Sequence, residues 1–202
     1  MRPLHRPCVA LCVAAALVLF LGCGPKQKQE QKQEKPGLPA VREHAAPPGD
    51  SAVVVEAESA GLVEPPMTVA DDLDASGGKC ISVPGGSGRP GGKNPVDDTV
   101  YPDRWGAAVF KFTVKTPGKY RFWGRKFWVG GCGNSLTLVI NGNSVIFGED
   151  GTYDDWQWRA STVLFDLHEG ENKLEVLNRE DGVKLDKFIL TTDMDFVPQG
   201  KE

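Results

Sequence analysis

An all-β sandwich is the fold class this sequence predicts, and three observations carry the prediction. Residues 163–192 (VLFDLHEGENKLEVLNREDGVKLDKFILTT) read as apolar runs in period two. Turns at Glu169-Gly170-Glu171-Asn172 and Glu180-Asp181-Gly182 separate them, the rhythm of antiparallel strands spaced about ten residues apart. Twenty-four glycines and fifteen prolines among 202 residues favour short strands and frequent turns over long helices. One residue breaks the pattern: Asp186 lies between Leu185 and Phe188 in a strand that should be buried, and a buried carboxylate needs a partner or a metal.

The amino terminus reads as an export signal. Arg2 and Arg6 give a short positive region, and residues 9–21 form an apolar run too short to span a membrane comfortably. Phe20-Leu21-Gly22-Cys23 resembles the lipobox of bacterial lipoproteins, with Phe20 and Leu21 departing from the usual residues. That resemblance implies a lipid on Cys23 as the new terminus; the alternative is an ordinary secretory signal cut nearby. Because Asp does not follow Cys23, lipoprotein sorting would favour the outer membrane of a two-membrane bacterium. Residues 26–37 (KQKQEQKQEKPG) and 38–50 carry almost no large apolar side chain, so they cannot bury enough surface to fold and form a tether. The organisation expected is therefore signal 1–22, disordered tether 23–50, folded domain 51–197 and tail 198–202, at the cell envelope or secreted. The lipid is the only expected membrane contact, and without a strong basic patch no nucleic-acid partner is expected.

Cys8 and Cys12 leave with the signal, so Cys80 and Cys132 remain. In an oxidising compartment they admit two readings, a disulfide or two separated buried thiols. No Cys-x-x-Cys or Cys/His cluster suggests structural zinc.

Taken in order, residues 52–58 (AVVVEAE) read as a strand with Glu56 and Glu58 on one face. Pro65-Pro66 breaks the chain, 67–70 make a short edge strand, 71–79 a turn region and 80–83 a strand. Residues 84–95 (PGGSGRPGGKNP) are a surface loop and not a phosphate loop, since Ser87 and Asn94 occupy the positions that need Gly and Ser or Thr. Phe110, Phe112 and Val114 share one face of strand 109–115. After the turn Thr116-Pro117-Gly118-Lys119, residues 120–128 (YRFWGRKFW) carry bulk on both faces: Tyr120 and Phe122 on one, Arg121, Trp123, Arg125 and Phe127 on the other. This is either a central strand covered on both sides or an aromatic and arginine surface facing a ligand. Leu136, Leu138 and Ile140 define a strand ending at the hairpin signal Asn141-Gly142, followed by 144–147. The loop 148–155 then leads to Trp156-Gln157-Trp158. About ten strands with no convincing helix make one β-sandwich of jelly-roll type.

Enzymatic chemistry finds little support. Of three histidines only His168 lies in the domain, beside a turn, and the cysteines have no nucleophile motif around them. Acidic residues are plentiful, but a chain without a second domain offers no deep cleft for a pair of glycosidase carboxylates.

Val-Glu-Ala-Glu (55–58), the Thr-Pro-Gly-Lys-Tyr turn into Phe-Trp-Gly-Arg, Leu-Val-Ile-Asn-Gly, Trp-Gln-Trp, Glu-Gly-Glu-Asn-Lys-Leu-Glu-Val and Leu-Asp-Lys-Phe-Ile-Leu-Thr fall in one order. That order resembles the carbohydrate-binding modules of families 6 and 35, which are galactose-binding-domain-like jelly rolls. The resemblance covers residues 53–192. It implies a structural calcium joining an acidic residue of the first strand to an Asp of the last, here Glu58 (with Glu56) and Asp186. The alternative for Asp186 is an ion pair with Lys184, Lys187 or an arginine. The resemblance also implies a polysaccharide or other glycan as ligand. Sugars have apolar faces and polar edges, so a site needs an aromatic platform with hydrogen-bonding groups at loop tips. The candidates are Trp105, Trp128, Asn134, Asp155, Trp156, Trp158, Arg179, Asp181 and Lys184. Trp156, next to the 151–155 loop, is the expected platform, and Trp158, further into a strand, the expected core residue. Lys184 stands where such modules often carry an Asn that contacts the sugar. The expectation is a surface-tethered, non-catalytic glycan-binding module; the alternative is the same fold used for protein contact or envelope scaffolding, with a hydrolase less favoured.

Overall fold

The computed structural model describes residues 51–87 and 106–201; the export signal, Cys23, the tether, Trp105 and most of the glycine-rich loop lie outside them. Eleven strands form among the described residues. They are β1 (Ala52–Glu56), β2 (Leu62–Glu64), β3 (Thr68–Asp71), β4 (Lys79–Ser82), β5 (Ala107–Val114), β6 (Gly118–Phe127), β7 (Ser135–Ile140), β8 (Asn143–Gly148), β9 (Trp156–Leu167), β10 (Gly170–Asn178) and β11 (Lys184–Thr191). One sheet runs β3-β4-β11-β6-β9, with β1 also pairing β11; the other runs β2-β5-β10-β7-β8. All of these pairings are antiparallel. The result is the expected all-β sandwich.

The core forms where the period-two rows of the two sheets meet. Phe110, Phe112 and Val114 of β5 face Tyr120 and Phe122 of β6, Phe165 and Leu167 of β9, and Leu185, Phe188 and Leu190 of β11. Phe188 is central: its ring stacks on Phe122 at 5.5 Å between centroids and meets the edge of Phe110 at 5.1 Å. Such aromatic pairs contribute about 0.5–1.5 kcal/mol each beyond the area they bury.

Four elements differ from the sequence reading. β1 stops at Glu56, and Ala57–Ser59 turn as a 3-10 helix, so Glu56 and Glu58 do not share a strand face. β2 has only Leu62 and Val63 as apolar residues, too few to show a period, and it forms by pairing with Val109 and Ala108 of β5. The stretches around Trp156 and Val163 join in one strand, β9, whose register against β6 shifts between Arg121 and Trp123. The predicted turn at 169–172 shortens, since β10 already starts at Gly170.

Asp186 is explained by a β-bulge. On β11, Leu185 pairs with Lys126 and Lys187 with Arg125, so Asp186 is an extra residue against β6. A bulge adds one residue and restores the alternation beyond it. Leu185 and Phe188, three apart, therefore both enter the core.

Cys80 and Cys132 are free thiols, Cys80 buried in β4 and Cys132 exposed in the loop after β6, so the disulfide reading does not hold and only one of the two separated thiols is buried. Burial raises the Cys80 thiol to about 12 and makes it inert.

Candidate functional site

The side chains of β6 that point away from the core are Arg121, Trp123, Arg125 and Phe127, because Tyr120, Phe122 and Trp128 point into it. Antiparallel register carries this face across three strands. Phe127 is opposite Lys184 of β11 on one side and Trp156 of β9 on the other, and in the next row Arg125 is opposite Trp158. Directly opposed residues point to the same face. An aromatic and cationic patch results: the Phe127 and Trp156 rings meet edge to face at 5.7 Å, the Arg125 guanidinium lies 5.1 Å from the Trp156 ring centroid, and the Lys184 ammonium 5.1 Å from that of Phe127.

Loops build this patch into an open cleft of about 780 Å³. Asp72 and Asp74 come from the β3–β4 connection, Asp154 and Asp155 from the β8–β9 loop, and Gly200 and Lys201 from the segment beyond β11. Lys184 is held by Asp72 at 2.8 Å. Burial alone would raise the Asp72 carboxyl, but hydrogen bonds from Lys184 and from the Asp74 N–H, with the Lys184 charge, outweigh it and hold Asp72 below its ordinary value. The Trp158 indole N–H donates to the Gly200 carbonyl at 2.8 Å.

The β8–β9 loop is fastened from inside. Lys126, one residue out of phase with the outer row, points inward and is 1% exposed. Its ammonium donates to Asp150 Oδ1 at 3.3 Å, to the Thr152 carbonyl at 3.1 Å and to the Thr152 hydroxyl. Burial pulls the Lys126 ammonium below its ordinary value, while Asp150 opposes that shift. The Trp128 indole N–H also reaches Asp150 at 3.3 Å, and Asp154 N–H donates to the Trp128 carbonyl at 2.8 Å. Asp154 has a φ of 57°, a left-handed conformation uncommon outside glycine, next to the cleft it lines.

The structure therefore brings together four of the nine sequence candidates for sugar binding: Asp155, Trp156, Trp158 and Lys184. Trp158 corrects an expectation. It lies two residues from Trp156 on the same strand, hence on the same face, and is half-buried in the cleft wall, outside the core. Trp128 is corrected in the opposite sense: it is fully buried in the core, because it keeps the inward phase of Tyr120 and Phe122. Asn134, Arg179 and Asp181 do not line the cleft. They belong to a second group of loops, where the buried Glu180 accepts the Asn134 N–H at 2.8 Å and the Ser135 hydroxyl at 2.9 Å. There Arg179 pairs with Glu149 at 2.8 Å, and Asp181 accepts the Gly86 N–H at 2.6 Å. Trp105 lies outside the described residues. Sequence reasoning missed Asp72, Asp74, Asp154 and Lys201, which carry no local signal. Arg125 and Phe127 were legible in one of the two readings of their strand.

The three expected calcium ligands surround one turn, Ser76–Gly78. Asp186 is fully buried; its Oδ2 accepts from Arg125 at 2.5 Å and its Oδ1 from the Ser76 N–H at 2.9 Å. The arginine alternative is thus the observed partner of Asp186. Glu56 Oε1 accepts from the Ser76 hydroxyl at 3.1 Å and from Lys187 at 2.9 Å. Gly77 has a φ of 61°, which favours glycine, and a Cβ there would come within 3.1 Å of Glu58 Oε1. Among the described residues, no three His, Cys, Asp or Glu side chains converge to hold a metal ion. Two carboxylate oxygens, Glu56 Oε2 and Glu58 Oε2, are nevertheless buried without a hydrogen-bond partner. Hard anionic oxygens of that kind suit calcium, so the Glu56–Glu58 pair fits the ion, whereas Asp186 is already engaged.

No family model matches the chain. In an alignment 117 residues long that covers 50% of this chain, it is 27% identical to "Uncharacterized protein P23" of Formosa agariphila, and it spans 28% of that protein. Among solved structures it is similar to the Podospora anserina GH26-CBM35 β-(1,4)-mannanase, with 18% identity and a TM-score of 0.51 over 75% of this chain and 29% of that one. It is also similar to the isomalto-dextranase of Arthrobacter globiformis T6 complexed with panose, with 15% identity and a TM-score of 0.50 over 74% of this chain and 24% of that one. Each of these proteins is more than three times as long as the part matched, and the structural likeness is one of fold. The chain thus carries a jelly-roll β-sandwich, a fold it shares with the matched part of the mannanase.

Proposed function

We propose that this domain is a non-catalytic glycan-binding module and that the cleft over β6, β9 and β11 is its site. One observation carries the reading: Trp156, Trp158 and Phe127 line an open cleft whose other walls are carboxylates and ammonium groups. Indole faces suit the apolar faces of sugar rings, and the Asp74, Asp154 and Asp155 carboxylates supply acceptors for hydroxyls. The fold is shared with a CBM35-bearing mannanase and with a dextranase complexed with panose, which supports carbohydrate as the ligand class. Against histidine-dependent catalysis stands the position of His168, the only histidine of residues 51–197, which does not line the cleft. A glycan array probed with the full chain should return polysaccharide ligands that Trp156→Ala no longer binds. An array without a single carbohydrate hit would overturn the reading.

Calcium belongs to the same proposal, through Glu56 and Glu58. Bound there it would neutralise the two unpartnered oxygens and tie the end of β1 to the Ser76–Gly78 turn. A ligand that binds only the folded state stabilises by RT ln(1 + [L]/Kd), about 2.7 kcal/mol at 100 Kd. The melting temperature should therefore rise in calcium relative to chelator, and Glu58→Gln should remove that difference. Equal melting temperatures of the unsubstituted chain in calcium and in chelator exclude the ion.

The short basic region, the apolar run and Gly22-Cys23 support attachment to the cell envelope by a lipid on Cys23. Mass spectrometry of membrane-extracted protein should find an acylated Cys23, and Cys23→Ser should release the protein. An unmodified terminus at another residue of a soluble protein excludes the anchor.

A further inference from the structure

Residues 198–202 read from sequence as a tail, yet the segment 193–201 meets the outer face of the β6–β9 sheet at two points, with a buried phenylalanine between them. Arg121 of β6 donates to the Met194 carbonyl at 2.7 Å. Phe196 is buried, at 2% exposure. Gly200 accepts the Trp158 indole N–H at 2.8 Å and, with Lys201, lines the cleft. Gly200 has a φ of 62°, a conformation that side chains other than glycine rarely adopt, and it is this turn that presents the carbonyl to Trp158.

We propose that this segment is a working part of the ligand site: it fixes Trp158 as a second ring platform beside Trp156, so that the site takes an oligosaccharide of two or more rings in preference to a single sugar. The inference rests on the glycan reading above and deepens it. Trp156 and Trp158 stand two residues apart on one face of β9, about 6.6 Å along the strand. They are therefore adjacent platforms and do not compete for one ring.

The two indoles are held differently. Trp156 is supported by side chains alone: the Phe127 edge, the Arg125 guanidinium and the Asp72 carboxylate, which accepts its indole N–H. Trp158 has one polar group, its N–H, and that group is spent on Gly200. An indole satisfied in this way offers a ligand its π-face and not a donor, and its orientation is set before the ligand arrives. Fixing a side chain beforehand lowers the entropy lost on binding. The consequence is selective. A single sugar on Trp156 does not need the segment, whereas a chain that also covers Trp158 does.

The test compares the full chain with two variants, one lacking residues 198–202 and one carrying Trp158→Phe. The first retains Phe196 and the Arg121–Met194 contact; the second retains a ring but no N–H. The probes are mannotetraose, cellotetraose, xylotetraose and isomaltotetraose, each against its own monosaccharide, by calorimetric titration. For the tetraose that the full chain binds best, each variant should lose 3- to 10-fold in affinity, a larger factor than it loses for the monosaccharide. The two changes combined should lose no more than the larger alone, because both break one contact. Unchanged tetraose affinity in the truncated chain, equal losses for tetraose and monosaccharide, or losses that multiply in the combined variant each overturn the role of the segment while leaving the glycan site standing. A full chain that binds none of these sugars removes the glycan reading, and this inference with it. If truncation unfolds the domain, Trp158→Phe alone decides, by the same tetraose-against-monosaccharide comparison.

Discussion

Asp186→Ala should lower the stability of the domain by about 3–5 kcal/mol, the range for breaking a buried ion pair from one side. Asp186 is fully buried, and the Arg125 side chain is 9% exposed, so neither group can exchange its partner for bulk water. Removing the carboxylate leaves a buried guanidinium donating to the Asp74 carbonyl at 3.1 Å, with its charge uncompensated, and leaves the Ser76 N–H without its bond. Replacing both partners by apolar residues of similar volume, Arg125→Met with Asp186→Leu, should recover most of the loss, since the desolvation of two charges disappears together with their attraction. The pair also sets a pH dependence. Burial raises the Asp186 carboxyl above its ordinary 3.8, against the opposing pull of Arg125 and the Ser76 N–H. In the window from 3.8 up to that raised value, the folded chain keeps a proton that the unfolded chain releases. The contribution of this group to stability is thus largest below 3.8 and declines as pH climbs through the window. Urea titrations of the three proteins at several pH values measure all of this. A single variant losing less than 1 kcal/mol would show that Arg125 finds other partners.

The sandwich was legible because period two is a local signal. Phe110, Phe112 and Val114, or Leu136, Leu138 and Ile140, announce their inward face without any knowledge of what they meet. The cleft was legible only in part, because it is made by register. Lys184, Phe127 and Trp156 lie far apart in the chain and become neighbours through two strand pairings that no local pattern specifies. Asp72 and Asp74 look like ordinary turn residues until Lys184 and Arg125 are found beside them. Phase errors account for the rest. A single bulge at Asp186 let two consecutive residues leave the core, and the inward phase of Trp128 placed the tryptophan nearest the loops in the core. Reading Trp158 as a core residue ignored that a step of two along a strand returns to the same face.

That last point yields the sharpest comparison among the tryptophans. Trp128→Ala should destabilise by about 3–5 kcal/mol, the usual range for truncating a buried Trp. It removes a fully buried ring that meets Phe147 at 6.0 Å, together with the indole bond to Asp150 that helps fasten the β8–β9 loop. Binding should fall with it, as a consequence of the loosened loop that carries Asp154 and Asp155. Trp156→Ala should do the reverse. Its ring is half-buried at the cleft surface, supported by Phe127 and Arg125, and its loss opens no cavity in the core. Melting should stay close to that of the unsubstituted chain while affinity for any glycan bound falls at least tenfold, about 1.4 kcal/mol. In melting, Trp158→Ala should follow Trp156→Ala and not Trp128→Ala, since it too lines the cleft and is absent from the core, while its loss of affinity should be larger for oligosaccharides than for single sugars. Thermal melts of the three variants, each paired with a titration of one glycan, separate platform from core. Destabilisation by Trp156→Ala as large as that by Trp128→Ala would make the ring a structural prop and remove it from the binding site.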